Sequence, residues 1–177
     1  MALLENGTVC LRALEPGDVE LLYAWENDPA VWHLSSTLVP FSRHILRQYL
    51  DQAAQDIFTQ KQLRLVICLR TDLRPLGTID LFEFEPHHKR AGVGILIAEP
   101  ADRGKGYARD ALDALIAYAF SVLDLRQLHC QIAPENEASL SLFQKAGFRV
   151  TGRLEQWYNV DGAYRDMLFL QLLRSDS

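Results

Sequence analysis

Cysteine is scarce in this sequence, and its spacing excludes two common uses of the residue. The three cysteines, Cys10, Cys68 and Cys130, are odd in number and far apart along the chain. They match neither the framework of a disulfide-stabilised secreted domain nor the closely spaced pairs of a zinc site. We therefore expect reduced thiols in a cytoplasmic protein, and no metal.

Long apolar runs and an excess of basic residues are also missing. No apolar run reaches the roughly 18 residues of a membrane span. Residues 1–5 lack the charged start and apolar core of a signal peptide. The net charge of −5 disfavours nucleic acid as a partner, because a surface that follows phosphates needs excess positive charge. It suits a cationic amine better. We expect neither membrane nor nucleic-acid binding.

The two best-known phosphate-binding motifs are absent as well. No Gly-x-x-x-x-Gly-Lys-Ser/Thr string occurs, which excludes a P-loop. The Gly-x-Gly at Gly104 and Gly106 has Arg109 where a dinucleotide fingerprint has its third glycine. A nucleotide-binding regulatory domain is therefore disfavoured.

What is present is the composition of one globular domain. The 177 residues are 49% hydrophobic and 23% charged, enough for one domain over residues 1–177 with a sizeable core. Periodicity and turn residues predict strands at 8–13, 63–69, 76–84, 91–98, 127–133, 149–160 and 164–172. They predict helices from Pro16, near 31–32, and at 42–58, 105–123 and 136–147.

The order of these elements predicts an α+β fold. The strands at 63–69, 76–84 and 91–98 form an antiparallel meander, and Asp161-Gly162 marks a hairpin. The helix at 105–123 must connect two parallel strands. We expect a mixed, mostly antiparallel sheet of six or seven strands with one central parallel pair, flanked by about four helices.

The segment 100–109 carries the clearest chemical signal. Gly104 and Gly106 allow a tight turn, and the following helix begins with unpaired amides and a partial positive charge. Arg103, Lys105 and Arg109 add charge that can pair with an anion. The segment predicts a phosphate or pyrophosphate site, although a plain glycine-rich turn before a helix has the same local pattern.

The loop and the segments after it resemble a known family. Residues 103–108, Arg-Gly-Lys-Gly-Tyr-Ala, are similar to the Gln/Arg-x-x-Gly-x-Gly/Ala pyrophosphate loop of the GNAT acetyltransferase superfamily. Residues 136–139 and 143–148 resemble its Asn-x-x-Ser/Ala…Tyr-x-x-x-Gly-Phe segment. The stretches 9–28, 78–91 and 152–165 look most like the branch of spermidine and ribosomal-protein N-terminal acetyltransferases.

The resemblance implies a GNAT-like fold and acetyl-CoA as co-substrate. In that family a bulge in the strand before the loop separates the parallel pair, and the thioester arm lies in the gap; Gly92 and Gly94 permit such a bulge or merely ease packing. Asn136 is expected to contact the pantetheine arm, to cap its helix, or both. The expected cofactor-binding residues are Leu96, Ile97, Ala98, Arg103, Gly104, Lys105, Gly106, Tyr107, Ala108, Arg109, Asn136, Ser139, Phe143 and Lys145.

Acetyl transfer to an amine also needs a base and a proton donor. Asp80, Glu83 and Glu85 are the candidate bases. Strand alternation places Glu83 and Glu85 on one face and Asp80 on the other, with Phe82 and Phe84. Glu83 is favoured because it aligns with an acidic residue of the spermidine enzymes.

The proton donor departs from the family pattern. Phe143 stands where the family has a tyrosine, and phenylalanine cannot donate a proton. Tyr158, Ser139 or water remain as donors, and Tyr158 is the side chain we select, although a packing role at the rim suits it equally. Cys130 is expected to fill the core rather than to carry the acyl group.

The sequence thus predicts an N-acetyltransferase that moves acetyl from acetyl-CoA to a primary amine by direct attack in a ternary complex. The acceptor is a polyamine, a protein N-terminus or another small amine, and whether the chain forms a homo-oligomer is left open. The alternative is an acyl-CoA-binding sensor or scaffold with little catalysis, which the loss of tyrosine at Phe143 supports.

Overall fold

One mixed sheet forms the centre of the molecule. The computed structural model describes residues 4–35, 38–53 and 55–175. Eight strands within these residues pair in the order β1-β2-β3-β4-β5-β6-β8-β7, and β5 and β6 form the parallel pair between antiparallel neighbours. The strands are β1 (Glu5–Asn6), β2 (Val9–Ala13), β3 (Leu63–Leu69), β4 (Pro75–Glu85), β5 (Arg90–Ile97), β6 (Gln127–Ile132), β7 (Arg149–Val160) and β8 (Ala163–Leu173).

The described residues form six α-helices, two more than expected. They are α1 (Val19–Glu26), α2 (Pro29–Ser35), α3 (Arg43–Ala53), α4 (Ile57–Gln60), α5 (Tyr107–Ser121) and α6 (Glu137–Lys145). The single helix predicted at 42–58 is wrong, because Asp56 begins a new helix there. Its Oδ1 accepts hydrogen bonds from the amides of Phe58 and Thr59 at 2.8 and 3.0 Å, as an N-cap residue does.

Helices cover both faces of the sheet. The apolar face of α5, with Ala111, Leu112 and Leu115 fully buried, packs in the same core as Ile79 and Leu81 of β4. On the opposite face, Trp25 of α1 packs against Val66 and Cys68 of β3. The predicted mixed sheet and the hairpin of β7 and β8 are confirmed.

The parallel pair separates soon after it forms. Its register contains only Arg90 opposite Gln127, Ala91 opposite Leu128 and Gly92 opposite His129. Beyond these pairs, the second half of β5 has no partner in β6, so a gap opens between the two strands. This gap is the feature of the fold that positions the site.

The bulge lies in β4 and not, as predicted, in β5. β5 keeps a regular register with β4 from Gly92 to Ile97, whereas the register shifts between Phe82 and Glu85 of β4. Glu83 has a positive φ of 48° there. Phe84 is consequently buried in the core with Leu81, so the predicted alternation, with Phe84 on the face of Asp80, is wrong.

Gly92 has a packing role instead. A Cβ atom at this position would lie 2.4 Å from the ring of Phe82. Any larger residue would force the aromatic ring to move, because the ring lies directly over the backbone of Gly92. Gly94 has more room, since its Cβ would make only ordinary contacts, 3.7 Å from Phe82 and 3.8 Å from Asp80 Oδ2.

Candidate active site

A cavity of about 460 Å³ lies between the end of β5, the glycine-bearing loop and α6. We call it the loop cavity. Its lining combines the last residues of β5, the loop, the first turn of α5 and one side of α6. The lining residues are Ile95, Leu96, Ile97, Asp102, Arg103, Gly104, Gly106, Ala108, Arg109, Asn136, Ala138, Ser139, Ser141, Leu142 and Lys145.

Two backbone amides of β5 face the gap beside this cavity. The Ala98 amide donates to the Leu76 carbonyl of the neighbouring chain segment at 2.9 Å. Because hydrogen-bonding groups alternate along a strand, the Leu96 amide also points to β4, whereas those of Ile95 and Ile97 point towards β6. Pairing with β6 has already ended at Gly92. Ile95 and Ile97 therefore offer donors to a ligand, and of the two only Ile97 is among the residues predicted from the sequence.

The loop itself fits a diphosphate. Gly104 and Gly106 have φ values of 75° and 87°, and a Cβ atom on either would meet nothing within 4 Å. In the part of the chain that the structure describes, the amides of Gly104, Lys105 and Gly106 donate to no protein acceptor. The unpaired first-turn amides of α5 follow directly. Such a set of converging N–H groups is a suitable anion site.

The basic side chains of the loop have different partners. Arg103 donates from Nε to the Ile97 carbonyl and from Nη2 to the Ala98 carbonyl, both at 3.1 Å. It therefore ties the loop to the end of β5. Lys105 lies 3.5 Å from Asp102, and Arg109 pairs with Asp113 one turn along α5 at 2.8 Å.

The loop cavity contains most of the residues predicted to bind the cofactor. Four of them do not line it: Ala98 is buried beside Trp25, Tyr107 packs against the core, Lys105 is exposed with its Nζ 3.5 Å from Asp102, and the fourth is Phe143. Phe143 lines a neighbouring cavity instead. The cavity is also lined by five residues that no sequence motif indicates: Ile95, Asp102, Ala138, Ser141 and Leu142.

Asn136 lies where the two cavities meet and also caps α6. Its Oδ1 accepts from the amide of Ser139 at 3.1 Å, which is N-cap geometry. The side-chain Nδ2 has no acceptor among the described residues, so its donors remain for a ligand. Both roles predicted for Asn136 are thus compatible with its position.

A second cavity of about 480 Å³ adjoins the first; we call it the inner cavity. The two share Ile95, Leu96, Asn136 and Ser139. The inner cavity lies between the β4 face, the separated strands and β7. The rest of its lining is Glu26, Val31, Gln62, Arg64, Thr78, Asp80, Phe82, Val93, Gly94, Cys130, Gln131, Ile132, Ala133, Phe143, Tyr158 and Met167.

Three charged side chains form the polar wall of the inner cavity. Arg64 Nε donates to Asp80 Oδ1 at 2.6 Å, and Arg64 Nη1 donates to Glu26 Oε1 at 2.8 Å. Burial raises the pKa of the Asp80 carboxyl, while Arg64 opposes that rise. With two carboxylates and one guanidinium, the group has one negative charge in excess, which suits a bound ammonium group.

Glu83, the favoured base, does not line either cavity. Its side chain is exposed at the bulge of β4, where the backbone has a positive φ. Asp80 is the sequence candidate that the structure places in the inner cavity. Glu26 and Arg64 were not selected, because they come from α1 and β3 and meet Asp80 only through the fold.

Phe143 and Tyr158 both line the inner cavity. The Phe143 ring is buried and packs edge-on against Phe148. Tyr158 is half-buried, with its hydroxyl 3.5 Å from Glu135 Oε2. Burial, followed by the neighbouring Glu135 carboxylate, raises the pKa of the Tyr158 phenol. Tyr158 therefore stays protonated at neutral pH.

Cys130, the remaining candidate, has the surroundings of a core residue. Cys130 is buried, and this burial raises the pKa of its thiol to about 12, so little thiolate is available for acyl transfer.

No group of three metal-binding side chains occurs among the described residues. Within the same residues, no helix is long and apolar enough to cross a membrane.

Known proteins are similar to this chain in sequence and in fold over almost its whole length. Spermidine N(1)-acetyltransferase of Vibrio cholerae is 24% identical over 180 residues, covering 96% of this chain and 95% of that protein. The enzyme of the same name from Escherichia coli is 29% identical, covering 91% and 83%. The crystal structure of the Vibrio cholerae spermidine N-acetyltransferase in complex with CoA and spermine has a TM-score of 0.85, with 26% identity and coverage of 95% and 96%.

The sequence profile of the acetyltransferase (GNAT) domain family matches residues 8–149. This match includes the glycine-bearing loop, the separated strand pair and α6. The chain belongs to the GNAT acetyltransferase family and is an acetyl-CoA-dependent N-acetyltransferase.

Proposed function

We propose that this protein acetylates a primary amine of a polyamine, with acetyl-CoA in the loop cavity and the amine in the inner cavity. The observation that carries the proposal is that the two cavities meet at Ile95, Leu96, Asn136 and Ser139. A thioester extending along the gap from the loop reaches the inner cavity at this junction. The acetyl carbon and the amine then meet without a covalent enzyme intermediate.

Backbone groups position the donor in this proposal. The amides of the loop and of the first turn of α5 bind the diphosphate. The Ile95 and Ile97 amides, which face the gap, hydrogen-bond the pantetheine arm or the oxygen of the tetrahedral intermediate. The side-chain amide of Asn136 adds a donor on the opposite side.

Asp80 is the base that we assign. An attacking amine must be neutral, and the substrate amine is mostly protonated at neutral pH. The raised pKa of Asp80 makes it a stronger base than an exposed carboxylate. The excess negative charge of Glu26, Arg64 and Asp80 also favours binding of the ammonium form before the proton leaves.

Tyr158 is the proton donor that we assign to the departing thiolate. It lines the cavity in which the tetrahedral intermediate would form, and its raised pKa means that the hydroxyl still carries its proton at neutral pH. In this respect it replaces the family's tyrosine, whose position is occupied by Phe143. A thiolate of ordinary pKa, about 8.5, needs only modest help to leave.

Polyamines are the acceptor class that we favour, because two similar proteins bear the name of spermidine acetyltransferases. The test is thiol release from acetyl-CoA with spermidine, spermine, a short peptide with a free N-terminus, and a monoamine. We expect turnover with a polyamine. Protection against heat by acetyl-CoA without turnover on any amine would instead indicate a sensor.

A further inference from the structure

A buried carboxylate lines the proposed diphosphate site. Asp102 ends the turn before the loop, and its side chain is only 6% exposed. It lines the loop cavity together with Gly104 and Gly106. An uncompensated carboxylate at this place would repel a bound diphosphate, because both are anions in a partly desolvated site.

Arg74 compensates this charge from outside the cavity. Its Nη1 donates to Asp102 Oδ2 at 2.7 Å and its Nη2 donates to Asp102 Oδ1 at 3.0 Å. This two-bond geometry is the strong form of an Arg–carboxylate pair. It holds the pKa of Asp102 below its ordinary value. Arg74 itself does not line either cavity.

The backbone of Arg74 is fixed before any ligand binds. Its amide donates to Asp72 Oδ1 at 3.0 Å, and its carbonyl accepts from the amide of Leu69 at 3.0 Å. The turn between β3 and β4 therefore holds the Arg74 backbone at a place from which the guanidinium reaches Asp102. From the other side, Arg103 ties the loop to β5. The loop is therefore held at Asp102 by Arg74 and at the next residue by the bonds that Arg103 itself makes to the end of β5.

We propose that Arg74 is a positioning residue for the donor: through Asp102 it fixes the diphosphate loop and cancels the one carboxylate that would oppose diphosphate binding. Lys105, 3.5 Å from the same carboxylate, is then free to turn towards the phosphates. This inference rests on the proposed placement of acetyl-CoA in the loop cavity.

The test compares Arg74→Ala with Arg70→Ala as the matched control. Arg70 lies at the start of the same turn, and pairs with Glu5 at 3.3 Å. We expect Arg74→Ala to raise the KM for acetyl-CoA about tenfold or more, with kcat and the amine KM unchanged. Acetyl-pantetheine, which lacks the diphosphate, should react equally well with both variants. Arg74→Lys should restore part of the affinity.

The variant Asp102→Asn tests whether Arg74 acts through the charge of Asp102 or through its own contact with the diphosphate. If Arg74 acts through the charge of Asp102, the double variant Arg74→Ala/Asp102→Asn binds CoA as tightly in calorimetry as Asp102→Asn alone. A double variant that binds CoA more weakly than Asp102→Asn alone would overturn the inference, as would an Arg74→Ala variant that matches Arg70→Ala. A wild-type protein that binds CoA but acetylates no amine would contradict the proposed function, and the calorimetric comparison would still test Arg74.

Discussion

Arg64 and Asp80 lie directly opposite each other on β3 and β4, and their side chains are joined by a 2.6 Å hydrogen bond inside the inner cavity. Glu26 reaches the same guanidinium from α1. The cross-strand pair therefore holds a carboxylate in a buried place beside the gap between β5 and β6. Its position gives Asp80 both a raised pKa and a place on the wall of the inner cavity.

Replacing Asp80 tests the assignment of the base. We expect Asp80→Asn to lower kcat by about 100-fold or more, because the amide cannot accept the ammonium proton. Since burial raises the pKa of Asp80, wild-type kcat should rise with pH as this carboxyl loses its proton. The variant should lose that dependence. Initial rates measured from pH 5 to 9 provide the check.

Glu83→Gln distinguishes the two candidate bases, because Glu83 lies on the same strand but outside both cavities. We expect this variant to keep kcat within about twofold of wild type and to retain its pH profile. A large loss in Glu83→Gln together with an active Asp80→Asn would assign the base to Glu83.

Removing Arg64 should destabilise the fold. Arg64→Ala leaves the partly buried Glu26 and Asp80 carboxylates without their shared partner, which should cost less unfolding free energy than the roughly 3–5 kcal/mol of a fully buried pair but more than an exposed pair. Lys89→Ala is the control, because Lys89 and its partner Asp124 are both exposed; its cost should be below about 1 kcal/mol. Urea unfolding measures both. Equal losses would show that the Arg64 pairs add no more than an exposed ion pair.

Tyr158 and Phe143 give a test of the proton donor. Tyr158→Phe should lower kcat by about tenfold or more, with the largest loss for the natural thiol and a smaller one for a thioester with a more acidic leaving group. Phe143→Tyr in the Tyr158→Phe background should recover part of the rate, because it restores a hydroxyl to the inner cavity. An unchanged kcat in Tyr158→Phe would reassign Tyr158 to packing at the rim.

Alanine substitutions at Gly92 and Gly94 should affect different properties, the first the stability of the fold and the second the access of the amine to its site. Gly92→Ala brings a methyl group to 2.4 Å from Phe82 and should cost about 1–3 kcal/mol by overpacking. Gly94→Ala makes only ordinary contacts, so its melting temperature should stay close to that of wild type. Its methyl group narrows the space beside Asp80, and kcat/KM for the amine should fall. A destabilised Gly94→Ala would contradict this division.

The sequence was informative where a local pattern determines the structure. The Gly104 and Gly106 pair predicts the turn in which both residues have positive φ. The apolar residues that repeat along one face of α5 predict the helix that follows. The parallel pair follows from the need for a crossover connection. Most residues that line the loop cavity could therefore be predicted from contiguous stretches of the sequence.

The lining of the inner cavity depends on which residues of neighbouring strands face each other. This register cannot be read directly from the sequence. Glu26, Arg64 and Asp80 are brought together by three separate elements. The bulge at Glu83 has no local signal, yet it places Phe84 in the core with Leu81, and the favoured base lines neither cavity. The opposite charges of Arg64 and Asp80 on adjacent predicted strands were a usable signal, since such pairs tend to face each other.

The most direct test of this account is a set of initial rates in which acetyl-CoA and spermidine are both varied. Attack across the junction of the two cavities requires both substrates at once, so double-reciprocal plots should intersect, and Cys130→Ser should retain its turnover. Parallel lines, together with an acetyl group found on Cys130 by mass spectrometry, would contradict the central claim that the amine attacks acetyl-CoA directly.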